Sequence, residues 1–314
     1  MNLQNISFYL ALPPVWLAAL MAGLLALAAW RRRWLNGSGA VSAFVIGFLI
    51  FWLGGGKATV PLLTFFLTSS LLSKISKKIS KNLAVTRSLK QHTPKIIPGN
   101  PPENNFVPLP LQTTDIHTAK GSTRDAGQVW ANGGMALAIV LLHRILIWRG
   151  IPPYQVEQLP TLFLAALATV NADTWATELG RLSGQTPRSL RDGKPVSSGT
   201  SGAISPVGTL AALAGAVVIP LSVYMLWPLN LIQFTCVIWA GFLGSLIDSL
   251  LGAGLQAQYR DLKSGILTER VEVEGRPTKR VRGLSWINND VVNFLASLGG
   301  VCCAYYLLHY SHLM

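Results

Sequence analysis

In a chain of 314 residues, 50% are hydrophobic and only 12% charged, about half the charged share of an ordinary soluble domain, which excludes a soluble enzyme and points to a polytopic membrane protein. Lys and Arg number 26 against 13 Asp and Glu; on a soluble surface that excess would suggest nucleic acid, but here topology accounts for most of it and no nucleic-acid partner is expected. The three cysteines, Cys236, Cys302 and Cys303, all lie in apolar runs, so neither a disulfide framework nor a zinc spacing is indicated.

Apolar runs close to the roughly 20 residues needed to cross a bilayer predict helices near 8–30, 38–55, 58–73, 128–148, 160–177, 206–227, 231–252 and 288–310. The expected fold is all-α, a polytopic membrane helix bundle of about eight transmembrane helices forming a single membrane domain, 1–314. The first run lacks a basic stretch ahead of it and is followed by Arg31, Arg32 and Arg33, which fits a retained anchor better than a cleaved signal. Gly54, Gly55, Gly56 and Lys57 allow either a short turn between spans or a re-entrant pair. Alternate threading collects 31–37, 74–127, 178–205 and 253–287 on one side, with 23 of the 26 Lys and Arg residues; Lys57, Arg144 and Arg149 are the remainder. By the positive-inside rule that side is cytoplasmic and both termini lie on the non-cytoplasmic side.

The long cytoplasmic loop has two characters. Lys74, Lys77, Lys78 and Lys81 read as a basic helical extension of the third span, suited to anionic headgroups. Beyond it, Thr93 to Gln112 holds six prolines and no apolar period, so 83–119 is expected to be a mobile Pro-rich loop ahead of a motif-bearing core, 120–314. Tryptophans near span ends, Trp16, Trp30, Trp34, Trp130, Trp148 and Trp227 among them, read as interfacial anchors, and Gly241, Gly244, Gly252 and Gly254 as close-packing positions.

Five helices bring polar side chains to one membrane level. Arg124, Asp125, Gln128 and Asn132 open the fourth span; Asn171, Asp173, Thr174 and Glu178 close the fifth; TSGAISPVGT, Thr200 to Thr209, leads into the sixth. Ser245, Asp248, Ser249 and Gln256 close the seventh, and Asn288, Asn289, Asp290 and Asn293 open the eighth. Asp125 and Asp290 stand where helix caps are expected. Asp173 and Asp248 each end a long apolar approach with no basic residue within a helical turn, and carboxylates at that depth mark function. Carboxylates among amides suit a hard cation, magnesium rather than zinc, with Asp173 and Asp248 as its ligands. Magnesium in turn suggests phosphate, which Lys120, Arg124, Arg181, Arg188, Lys194 and Arg260 lie near enough to neutralise and a Gly-rich helix start could cradle. Asp173 and Glu178, five residues apart, point about 140° from each other on an ideal helix. Either that helix breaks near Thr174, or the two acids serve different partners.

Four motifs in order, KGSTRDAGQVWANGG at 120–134, NADTWATELG at 171–180, SSGTSGAISPVGT at 197–209 and GSLIDSLLGAGLQ at 244–256, resemble the integral membrane family that includes transmembrane protein 19 and the phytyl-phosphate kinase of plants and cyanobacteria. The resemblance implies a magnesium-requiring, CTP-dependent kinase of an isoprenyl monophosphate, in a bacterial plasma, thylakoid or plastid membrane. It implies Asp173, Asp248 and Arg124 as the catalytic set, with nucleotide and lipid contacts drawn from Asp125, Gln128, Asn132, Thr174, Glu178, Gly199, Thr200, Ser205, Ser245, Ser249 and Gln256; Lys120, Asn171, Asn289 and Asp290 join those contacts on their polar position at the same level. One departure is Ser201, Gly202 and Ala203, where the family pattern has an Asn and paired Gly. The competing readings are a polyprenol kinase or cytidylyltransferase acting on another lipid, and a secondary transporter using the intramembrane acids, although those sites usually lie at the midplane between repeats.

Overall fold

The computed structural model describes residues 12–91, 123–226 and 229–311. Lys120, Trp227 and the Pro-rich stretch 92–119 lie outside them.

Among the described residues seven α-helices build the bundle: α1 Val15–Arg31, α2 Gly37–Gln91, α3 Ala126–Trp148, α4 Leu159–Leu182, α5 Pro206–Val223, α6 Leu231–Gly254 and α7 Asn289–Ser311. Among the described residues, five are long and apolar enough to cross a membrane: α2, through Ser80, and α3, α5, α6 and α7. α4 carries Asn171, Asp173 and Thr174 in its second half, which dilutes its apolar character, and α1 is a shorter apolar helix.

α2 is not one rod. Gly55, at φ 67°, lies in the left-handed region that glycine enters without a Cβ penalty, and there the chain reverses. The reversal follows from a contact between the residue that leads into the first arm, 37–54, and the middle of the second, 56–91: the Trp34 and Phe66 rings stand 5.9 Å apart, whereas a straight helix would separate them by about 48 Å. Breaking the helix frees the Leu53 carbonyl inside the bundle. The buried Arg144 of α3 donates to it through Nε at 3.2 Å and through Nη2 as well. The second arm continues through 83–91, so the basic stretch from Lys74 extends the helix.

α4 is the central helix. Leu164, Ala165, Ala166, Leu167 and Ala168 are each at most 1% exposed, as expected of a helix covered all round. It packs on α2, α3, α5, α6 and α7. Small residues set those crossings: a Cβ on Gly241 would meet the Ala168 methyl at 2.7 Å, and Cβ atoms on Gly244 and Gly300 would both strike Thr169. The packing reading of Gly241 and Gly244 thus has its reason in α4.

The expectation of an all-α chain needs correction in the loops, because short strands form at the polar end of the bundle. Strands β1 Arg188–Ser189 and β2 Ala203–Ile204 pair antiparallel in the α4–α5 connection. After α6 come β3 Gln258–Arg260, β4 Leu267–Thr268, β5 Glu272–Val273, β6 Arg276–Pro277 and β7 Lys279–Arg282. They form a three-stranded sheet in the order β4-β3-β7 and a β5–β6 hairpin. Glu274 and Gly275, both at positive φ (52° and 76°), supply the mirror-image turn that suits the twist of a two-residue hairpin. Strands this short carry too few alternations to be read as a period.

Candidate functional site

The polar ends of α2 through α7 surround a cavity of about 600 Å³. Asp173 and Thr174 of α4 and Ser245, Asp248 and Ser249 of α6 line its inner part, beside Gln128 and Asn132 of α3 and Asn289 and Asn293 of α7. Asn293 Nδ2 donates to Asn132 Oδ1 at 3.3 Å, which joins α7 to α3 across that wall. The loop from Ser198 to Ser205 closes another side. Arg32, Arg33, Lys74, Lys77, Arg124 and Arg181 make the rest of the rim strongly basic.

The helical angle between Asp173 and Glu178 resolves simply. α4 runs unbroken through both, so the acids do serve different partners. Glu178 turns to α2, where Ser73 Oγ donates to its Oε1 at 2.6 Å, while its Oε2 is buried with no hydrogen-bond partner. Asp173 lines the cavity together with Asp248 of α6, whose charge it repels; Arg181 attracts Asp173 and Glu178 repels it. Asp248 Oδ2 is likewise buried without a hydrogen-bond partner. An orphaned carboxylate oxygen at a polar cavity is costly unless a cation or donor arrives.

Arg124 is fixed before any ligand binds. Its N–H donates to the Trp34 carbonyl and its carbonyl accepts from Asn36 N–H, both at 3.0 Å. Its Nη1 donates to Ser69 Oγ at 3.1 Å, and the guanidinium lies 6.0 Å from the Phe65 ring centroid, within cation–π range. Burial lowers its pKa from the ordinary arginine range and Glu178 opposes that shift. The group stays charged at any physiological pH.

The third motif becomes a bent loop held against α6. Gly199 and Gly202 sit at φ 86° and 75°, and a Cβ on Gly202 would strike the backbone of Ala253. Ser201 Oγ donates to Gln256 Oε1 at 2.6 Å. Ser205 caps α5, its Oγ accepting from Gly208 N–H at 3.1 Å, so the positive end of that helix faces the cavity.

Arg188, Lys194 and Arg260, expected to neutralise phosphate, do not line the cavity, and four of the expected binding residues do not either. Asp125 is the N-cap of α3 in a capping box with Gln128. Asn171 is fully buried, with Nδ2 donating to the Gly215 carbonyl at 2.7 Å and Oδ1 accepting from Thr68 Oγ1 at 3.0 Å; it ties α4 to α5 and α2. Gln256, 1% exposed, stands behind the loop as the partner of Ser201. Asp290 lies at the start of α7 beside Gly127. Lys120 falls outside the described residues. Conversely, Ser73, Lys74 and Lys77 of α2 and Glu269, next to β4, reach the cavity without having been singled out for chemistry, as does Trp34, read from sequence as an anchor. The α2 set was readable in part, since Ser69, Ser73 and Ser76 recur at helical spacing. Glu269 carried no signal.

Among the described residues, no three His, Cys, Asp or Glu side chains form a group able to hold a metal by themselves. Magnesium that binds together with a nucleotide takes one or two carboxylates, and water and phosphate oxygens complete its shell. Asp173 and Asp248, with the unpartnered Oδ2 of the latter, fit that role.

Comparison with known proteins agrees with this membrane architecture. Residues 20–98 and 110–301 match the family described as integral membrane protein DUF92. Protein PGR of Arabidopsis thaliana is 28% identical over 302 residues, 90% of this chain and 91% of that protein. An uncharacterized membrane protein of Methanocaldococcus jannaschii is 28% identical over 76% of this chain and 82% of its own length, and one of Synechocystis is 25% identical over 92% and 90%. No solved structure matches. The apolar helices, the polar cavity at one end of the bundle and this match over most of the length make the chain an integral membrane protein of the DUF92 family.

Proposed function

We propose that the chain is a lipid-phosphate kinase that transfers the terminal phosphoryl group of a nucleoside triphosphate, CTP in the first instance, to an isoprenyl monophosphate. The P–O bond to the departing nucleoside diphosphate breaks, and a bond forms to an oxygen of the acceptor phosphate. The observation that carries this reading is the pairing of Asp173 on α4 with Asp248 on α6 at one polar cavity rimmed by six Lys and Arg side chains. In this reading both arms of α2 cross the membrane, giving eight spans, with the cavity at the cytoplasmic face and both termini on the other side.

Asp173 and Asp248 would hold magnesium. That ion, when bound with the nucleotide, supplies charge neutralisation across the phosphates. Arg124, already oriented by Ser69, presents a fixed positive charge where charge builds during transfer. Arg181 and the α5 N-terminus, with Ser205 spent on its cap, offer further positive potential to an anion. An acceptor phosphate is already anionic and needs no strong base, which accords with a cavity wall free of histidine among the described residues. A transporter is less well supported, since the two acids sit at one end of the bundle rather than at a midplane between repeats.

The experiment is a panel of nucleotides and lipid acceptors with purified protein and magnesium. Labelled phytyl phosphate and CTP should give the diphosphate. Wild-type turnover in correctly inserted Asp173→Asn and Asp248→Asn variants would reject the assignment. Uptake by proteoliposomes without nucleotide would favour transport.

A further inference from the structure

A second cavity adjoins the first. It encloses about 270 Å³ between α1, both arms of α2 and α3, and its walls are almost wholly hydrocarbon, with Met21, Leu25, Phe51, Leu63 and Phe66 among them. Small residues make the room. A Cβ on Gly56 would meet nothing within 4 Å, and one on Gly47 only the Ala22 methyl at 3.9 Å. Met21 and Leu25, 43% and 39% exposed, put the rim of this slot on the outer surface of the bundle, where lipid lies.

Three residues line both cavities: Arg124, Gln128 and Asn132. Arg124 straddles the junction, with its guanidinium over Phe65, a wall of the apolar slot, and its Nη1 on Ser69 and, at 3.5 Å, on Ser70 at the polar side. An apolar slot open to lipid therefore ends on a fixed cation that belongs to a polar, basic cavity. Such a space stays dry and takes hydrocarbon, because water would find no partners along its walls.

We infer that the slot between α1, α2 and α3 holds the head-proximal part of the hydrocarbon chain of a single-chain lipid phosphate, whose anionic head lies at Arg124. The assignment of that lipid as the acceptor rests on the phosphoryl-transfer reading; the slot itself does not. At ~30 Å³ for each water-sized group, the space takes about nine carbon-sized groups. The remainder of a longer chain lies in the bilayer. Recognition therefore depends on the first two isoprene units and is indifferent to length beyond them.

The test is photolabelling of full-length protein in nanodiscs with decyl phosphate carrying a diazirine at the far end of its chain. Label is expected on α1 and both arms of α2, around Met21, Phe51 and Val60, the slot residues away from Arg124. Unlabelled decyl phosphate should compete about tenfold better than decanol or phosphatidylglycerol, a difference of roughly 1.4 kcal/mol. Gly56→Leu, which fills the slot, should cut labelling by a similar factor; Ala43→Leu fills it from the first arm of α2 should that variant not fold. Label on α4 to α7, or unchanged labelling of both folded variants, would overturn the inference. So would equal competition by decanol, which removes the head contact at Arg124, or by phosphatidylglycerol, which makes the slot a structural-lipid site. Slot labelling in a protein that transfers no phosphoryl group supports the slot and sinks the kinase reading. Transfer with label elsewhere does the reverse.

Discussion

Ser73 of α2 donates a 2.6 Å hydrogen bond to Oε1 of Glu178 on α4, and Ser76 Oγ, one turn on, reaches the Glu178 carbonyl at 3.4 Å. This contact fastens the second arm of α2 to the central helix at the level where Lys74 and Lys77 meet the cavity. Because Glu178 Oε2 already lacks a partner, removing Ser73 leaves both carboxylate oxygens unsatisfied. Ser73→Ala should therefore destabilise the protein by about 1.5–3 kcal/mol, the scale of a hydrogen bond to a charged group. Glu178→Gln keeps a partner for Ser73 and should stay near the wild type. Thermal unfolding in detergent reads both; equal midpoints for Ser73→Ala and wild type would remove Glu178 as an anchor.

Asp173 and Asp248 repel each other at the cavity, and Glu269 repels Asp248 as well. Sites built for function often store such like-charge strain, and relieving it raises stability while removing activity. Asp248→Asn should accordingly unfold at a higher temperature than wild type while phosphoryl transfer falls by about 10²–10³-fold. Magnesium should raise the unfolding temperature of wild type in the presence of CTP and have little effect on the variant. A variant both active and no more stable than wild type would count against the pairing.

The sequence made the bundle legible because lipid-crossing helices announce themselves by length and apolarity, and it singled out Asp173 and Asp248, which do line the cavity, because charge at that depth needs a reason. Polarity alone could not tell a site residue from a strut. Asn171 looks as functional as Asp173, yet both ends of its amide are spent on Gly215 and Thr68. The reverse error has a different cause. Glu269 stands beside the strands that bring it to the cavity, β4 paired with β3 and β3 with β7, which are two to four residues long and too brief to leave a pattern. The fold-back of α2 lay between these cases: its glycine run was visible, whereas the Arg144 that satisfies the freed Leu53 carbonyl comes from another helix.

Gly202 is the tightest point of the loop that closes the cavity. Alanine there would hold a left-handed φ, costing about 1–2 kcal/mol, and its methyl would collide with Ala253 on α6. Gly202→Ala should push the loop off α6, raise the nucleotide KM with a smaller effect on the lipid KM, and open 183–205 to limited proteolysis. Gln256→Ala, which deprives Ser201 of its partner, should do the same more weakly. Unchanged protease resistance in both would mean that the loop is held by other contacts.

Arg124 offers the sharpest separation of charge from geometry. Lysine keeps the positive charge but loses the planar guanidinium that lies over Phe65 while its Nη1 donates to Ser69 and Ser70. Arg124→Lys should therefore insert and fold, yet lose about tenfold or more in kcat/KM for the lipid phosphate. Arg124→Met should lose a further factor of about ten, because it also removes the charge proposed to face the phosphates. The nucleotide KM should move less than the lipid KM in both, since Arg181, Lys74 and Lys77 remain at the rim. If lysine restored full lipid turnover, charge alone would suffice at this position, and the orientation imposed by Ser69 and Phe65 would have no role in transfer.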